Sequence, residues 1–216
     1  MKEQAVFFNH ENIRLEGLYA VSGGTGGAVI SHPHSLMGGE MSHPVVEILT
    51  ESLFTAGGVS TLRFNFRGVG RSTGAFDKGR GEQGDVLAAV SFLEGQGKKE
   101  IVLAGYSFGA WVNAAVLTCK SMLPAIFVSP PIGIFRFDFP SLRGKVGLII
   151  CGDSDSYCPV EQIKEVADEL PCLLHIMPDT DHFFMSREQE LSACINSYLK
   201  KCASKREPAH APCSPT

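Results

Sequence analysis

A chain of 216 residues, 44% of them hydrophobic, is long enough to bury one sizeable core, and it reads as a single domain over 1–202 followed by a polar, flexible tail over 203–216. Lysine and arginine total 19 against 23 aspartates and glutamates, a formal charge of -4 with no basic run, which argues against a nucleic-acid partner. No stretch approaches the roughly 20 apolar residues a membrane span needs, and MKEQAVFFNHENIRLEG lacks the apolar centre of a signal peptide.

Those features predict a cytoplasmic protein with no membrane partner. The 7 cysteines fit that compartment, being odd in number and scattered without CxxC or zinc-like spacing. Most read as small apolar core residues, and Cys158 is the one to examine for reactivity because it follows the acidic loop GDSDSYCP.

In chain order, VFFNH and IRLEGLYAV predict two antiparallel strands joined at Glu11 and Asn12. AVISH follows as a strand, and HPHSLMGGEMSH as a glycine-rich loop. The segment HPVVEILTESLFTAG then places Val45, Val46, Leu49, Leu53 and Phe54 on one helical face. VSTLRFNF reads as a strand, FRGVGRSTG as a turn, GEQGDVLAAVSFLEGQ as a helix, and KEIVLAGYS as a buried strand running directly into the helix FGAWVNAAVLTCK.

After these come the strands PAIFVSP and VGLIICG, a helix from Val160 to Leu170, the strand CLLHIMP and a last helix SREQELSACINSYLKK. Such alternation predicts an α/β fold: a mostly parallel sheet of about eight strands with helices on both faces and ligands at the carboxyl ends of the strands.

Gly105-Tyr106-Ser107-Phe108-Gly109 sits where a strand breaks into an apolar helix, the setting of a nucleophile elbow. Ser107 is therefore the candidate nucleophile, and the Phe108 N–H at the helix start a candidate oxyanion donor. Gly70-Arg71-Ser72-Thr73-Gly74 fits the same G-x-S-x-G pattern but leads into polar sequence, so Ser72 reads as a turn residue.

A serine needs a base, and the base an orienting carboxylate. Two later strands end in loops that carry them: Asp153 and Asp155 after VGLIICG, then Asp179, Asp181 and His182 after CLLHIMP. Asp155 is preferred over Asp153 because it lies beyond the strand end, with the reverse left open; Asp179 and Asp181 read as turn and capping residues. His175 falls within a strand and His210 in the tail.

His32, His34, Glu40 and His43 resemble a metal cluster, but the glycines between them suit a closely approached backbone better, so neither metal nor cofactor is expected. The same loop offers a second oxyanion N–H, with Leu36 favoured and Ser35 and Met37 beside it.

HPHSLMGGEMSHPVV, LRFNFRGVGRSTG, GYSFGA, GDSDSYCP and DTDHFF, in that order, resemble the α/β-hydrolase superfamily. They are similar in particular to a small lidless bacterial branch related to dienelactone hydrolases and serine esterases. The resemblance spans roughly residues 5 to 200. It implies an α/β-hydrolase fold without a cap domain, with Ser107 as nucleophile, Asp155 as acid, His182 as base, and Phe108 and Leu36 as oxyanion donors. Ser35 departs from the pattern, which has proline there. The resemblance further implies that FRGVGRSTG is structural, with Arg67, Arg71 and Asp85 pairing or capping.

The expected activity is hydrolysis of carboxylic esters or thioesters on a small acyl substrate through an acyl-enzyme. The alternatives are peptide or lactone hydrolysis on the same site, or non-catalytic ligand binding on this fold. Between SPP and Val146 there is no room for a cap, which predicts an open pocket. There PPIGIFRFDFP alternates Ile134, Phe135, Phe137 and Phe139 with Arg136 and Asp138, a pattern that fits an acyl groove, a homodimer contact or plain edge packing.

Overall fold

The structure is a computed structural model that describes residues 1–204. Eight strands form one sheet: β1 (Gln4–His10), β2 (Ile13–Ala20), β3 (Gly26–Ser31), β4 (Ser60–Phe64), β5 (Glu100–Tyr106), β6 (Leu123–Val128), β7 (Val146–Gly152) and β8 (Leu173–Met177). Their order across the sheet is β1-β2-β4-β3-β5-β6-β7-β8. The β1–β2 and β2–β4 pairs are antiparallel, and every pair from β4 to β8 is parallel.

Five helices cover it: α1 (Pro44–Thr55), α2 (Arg80–Gly95), α3 (Phe108–Cys119), α4 (Val160–Glu169) and α5 (Glu188–Ser204). The period of two along β5 assigns each face. Ile101 and Leu103 join a core with Val86, Val90 and Leu93 of α2, Val112 and Val116 of α3 and Ile163 of α4. Val102, Ala104 and Tyr106 join the opposite core with Val45, Val46, Leu49 and Leu53 of α1 and Leu191 and Ile195 of α5. Central strands therefore bury both faces, which is why AVISH and IVLAGY read as continuous apolar runs.

Several boundaries differ from the sequence expectation. β4 ends at Phe64, two residues before the apolar run does, because the Phe66 N–H turns to the His32 ring instead of a neighbouring strand. Within the loop after β3, Ser35–Met37 close a short 3-10 turn. The last helix continues through Ser204, past the boundary expected at residue 202, so the expected tail narrows to 205–216, which lies outside the described residues together with His210 and Cys213.

FRGVGRSTG is a partly exposed turn anchored by contacts with the rest of the protein. Ser72 Oγ accepts from the Glu16 N–H at 3.0 Å and donates to the Asn65 carbonyl at 2.7 Å. Arg67 pairs with the buried Asp85 at 2.7 Å, and Arg71 lies over the Phe7 ring. The second G-x-S-x-G match is thus a structural turn in which only Ser72 is buried, as its polar continuation predicted.

Candidate active site

The carboxyl ends of β3, β5, β6, β7 and β8 surround one pocket of about 380 Å³. Ser107 stands at its floor with φ 53 and ψ -119, a left-handed conformation that an L-residue adopts only under strain from its surroundings. The flanking glycines permit it. A Cβ on Gly105 would strike the backbone of Gly109 and Ala110, and one on Gly109 would strike the carbonyls of Ser31 and His32. Helix α3 therefore starts against the end of β3, and no side chain caps it.

The serine hydroxyl faces His182 instead, with Oγ 2.9 Å from Nε2. On the other side of the ring, Nδ1 lies 2.9 and 3.0 Å from the two Asp155 oxygens. With the carboxylate as acceptor, Nδ1 is the donor and Nε2 the acceptor for the serine proton. The sequence places all three residues at strand ends, and the fold brings them into one hydrogen-bonded chain. All three are buried, with Ser107 and His182 lining the pocket and Asp155 behind them.

Asp155 is held in place by its loop. Burial works against its charged form. Hydrogen bonds from His182 and from the Tyr157 N–H outweigh that and hold the carboxyl below the usual aspartate range. Its Oδ1 also accepts from the Cys158 N–H at 3.1 Å. Asp153 acts differently, accepting from the Thr180 N–H and from Ser154 Oγ and so tying the β7 loop to the β8 loop. Asp181 Oδ1 accepts from the Phe183 N–H, a turn contact as expected.

Rings fix the imidazole. Tyr157 meets His182 edge-on at 4.7 Å, Phe183 at 5.6 Å, and Tyr106 tilts against it at 5.5 Å. Tyr106 Oη also donates to the His182 carbonyl at 2.9 Å. Tyr106 is a functional candidate that sequence reasoning passed over. The second position of G-x-S-x-G was the available signal for Tyr106.

Leu36 is the prediction that the geometry does not bring in. Its side chain is 72% exposed and absent from the pocket wall, and its N–H donates to His34 Nδ1 at 3.2 Å. The Phe108 N–H, by contrast, opens α3 directly beside Ser107, at the positive end of the helix. Ser35 starts the 3-10 turn with its Oγ buried and unpartnered.

The histidines of this loop serve separate ends. His32 is fully buried, its Nδ1 donating to the Pro33 carbonyl at 2.7 Å and its Nε2 accepting from the Phe66 N–H at 3.0 Å, so both nitrogens are spent. Among the described residues no group of three or more histidine, cysteine, aspartate or glutamate side chains is arranged to hold a metal ion. Cys158 and Cys151 are buried together, and their mutual hydrogen bond and burial push the Cys158 thiol up, making it a core residue rather than a reactive one.

Most of the pocket wall is apolar. Met37, Phe108, Ile134, Phe135, Tyr157 and Phe183 contribute to it. The β6–β7 link is thus divided: Ile134 and Phe135 face the pocket, whereas Phe137 and Phe139 stack on one another at 5.4 Å and pack on the core. That link, residues 129–145, contains only turns and one 3-10 segment, so nothing in it covers the pocket.

Comparison with known proteins agrees with this architecture. No family profile matches the chain. An uncharacterised protein of Rickettsia prowazekii is 34% identical over 213 residues, covering 90% of this chain and 87% of its own. A solved α/β serine hydrolase homologue from Coxiella burnetii is 32% identical with a TM-score of 0.83, over 92% of this chain and 98% of its own. A lidless α/β serine hydrolase from Xanthomonas campestris is 28% identical with the same TM-score of 0.83, over 94% and 95% of the two chains. The chain belongs to the α/β-hydrolase family, on the branch without a lid.

Proposed function

We propose that this protein is a serine hydrolase that cleaves carboxylic esters or thioesters of small acyl substrates through an acyl-enzyme. The observation that carries the reading is the unbroken chain from Ser107 Oγ to His182 to Asp155, with contacts of 2.9 Å on both sides of the ring.

In this mechanism neutral His182 takes the Ser107 proton at Nε2 as Oγ attacks the acyl carbonyl. Asp155 keeps the proton on Nδ1 and stabilises the imidazolium. His182 then protonates the departing alcohol or thiol, leaving the acyl group on Ser107. Water enters through the open pocket and attacks the acyl carbonyl as it loses a proton to His182, and His182 returns that proton to Ser107 Oγ as the acid leaves. The Phe108 N–H stabilises each oxyanion, and losing one such donor costs roughly 3 kcal/mol of barrier in comparable sites. The Leu36 N–H, the second donor expected from the sequence, is spent on His34 Nδ1, so the Phe108 N–H is the oxyanion donor this geometry supports.

The apolar wall favours an acyl group over a charged side chain, which supports esters and thioesters ahead of peptides. Hydrolysis of p-nitrophenyl esters and acyl thioesters tests the reading, with Ser107→Ala expected to fall to background while its Tm stays near that of the unaltered protein. Retention of turnover by Ser107→Ala would overturn it.

A further inference from the structure

His34 and His43 line the pocket but take no part in the Ser107–His182–Asp155 chain. Each ring has one nitrogen committed to the backbone. His34 Nδ1 accepts from the Leu36 N–H at 3.2 Å, and His43 Nδ1 accepts from the Val45 N–H at 3.3 Å, where it caps helix α1. A backbone amide can only donate, so neither Nδ1 carries a proton, and in a neutral ring the proton sits on Nε2.

Both rings are biased toward the neutral form. Burial lowers the pKa of His34, outweighing the opposing pull of Glu82, and burial with the nearby His182 lowers that of His43. Packing fixes their orientations: His34 lies between Phe76 at 4.8 Å and Phe108 at 4.9 Å, and His43 lies against Tyr106 at 5.0 Å. Neither Nε2 has a hydrogen-bond partner among the described residues, nor is either sealed inside the protein. The mostly apolar pocket wall thus includes two imidazoles whose Nε2 N–H groups have no acceptor among the described residues. One adjoins the residue before Ser107 and the other the residue after it.

We infer that His34 and His43 form an oxygen-recognition subsite, so that the substrate is an ester or thioester carrying an uncharged acceptor oxygen, such as an ether, keto or amide oxygen, close to the scissile carbonyl. This inference rests on Ser107 being the nucleophile. An alkyl acyl group would cover both donors without pairing them, a penalty that sites built for a polar group use to reject its hydrocarbon analogue. An anionic group is disfavoured because no lysine or arginine lines the pocket and both rings are biased toward the neutral form.

Isosteric ester pairs test it. On the acyl side, p-nitrophenyl methoxyacetate is compared with p-nitrophenyl butyrate; on the alcohol side, methoxyethyl butyrate with butyl butyrate. Each kcat/KM is divided by the rate of hydroxide hydrolysis of the same ester. The expected result is a preference of about tenfold or more for the oxygenated member of at least one pair. That preference should fall toward unity in His34→Asn or His43→Asn. Asparagine keeps an acceptor oxygen for the backbone N–H, while its amide nitrogen falls short of the Nε2 position.

Fluorophosphonate labelling of Ser107 and the Tm of each variant report whether the site remains assembled. Ratios near unity in both pairs, or a preference unchanged by both substitutions in labelled, folded protein, would overturn the subsite. Loss of labelling and of all hydrolysis in the unaltered protein would remove the Ser107 reading itself, and the subsite with it.

Discussion

Tyr106 Oη donates to the carbonyl oxygen of His182 at 2.9 Å, a bond between the residue before the candidate nucleophile and the backbone of the candidate base. The tyrosine is buried on the α1/α5 side of the sheet, and burial raises its pKa, so it stays a donor at any working pH. Its hydroxyl fixes how far the β8 loop stands from the elbow.

Tyr106→Phe removes that bond and keeps the ring. A net hydrogen bond of about 1 kcal/mol predicts a loss of roughly fivefold in kcat with little change in KM. Steady-state kinetics on a p-nitrophenyl ester checks it, and an unchanged kcat would show that the loop is held without Tyr106.

The two aspartates of the β7 loop separate by role. Asp155→Asn is expected to lower kcat by roughly four orders of magnitude, the size seen when the equivalent carboxylate of a Ser-His-Asp site becomes an amide. Asp153→Asn alters a loop contact and should change kcat by less than about threefold. Equal losses in both variants would contradict the assignment.

His32 makes stability depend on pH. Burial lowers its pKa from 6.5 to about 4, so between those values the unfolded chain binds a proton that the folded chain does not. The contribution is complete above pH 6.5, declines as the pH falls, and is lost by about pH 4, a change of about 3 kcal/mol. Urea unfolding at pH 7 and pH 4.5 should show this decline in the unaltered protein and a smaller one in His32→Gln. Equal declines would place the pH dependence elsewhere.

Gly109→Ala tests the elbow. Its Cβ would meet the carbonyls of Ser31 and His32, which are backbone and cannot swing aside. A loss of stability of about 3 kcal/mol or more is expected, with turnover falling alongside, because α3 must retreat from β3 and carry Ser107 with it. Thermal unfolding near that of the unaltered protein would show that the contact can relax.

The fold was readable where local signals and tertiary packing agree. Alternating strands and helices pointed to the parallel sheet, and the strand-to-helix break at Gly105–Gly109 pointed to Ser107, because that turn is specified by residues adjacent in sequence. Asp155 and His182 were readable from their places after β7 and β8. Leu36 was not, since the partner of its N–H depends on how the His34 ring is packed between Phe76 and Phe108. The Tyr106–His182 bond joins residues far apart in sequence, so no local pattern announces it.

The most direct test of the central claim is labelling with a fluorophosphonate probe, followed by mass analysis of the modified peptide. An activated serine predicts one adduct on Ser107, absent from Ser107→Ala and slowed by orders of magnitude in His182→Ala. No adduct on folded protein, or an adduct on Ser107 formed equally fast without His182, would contradict the account.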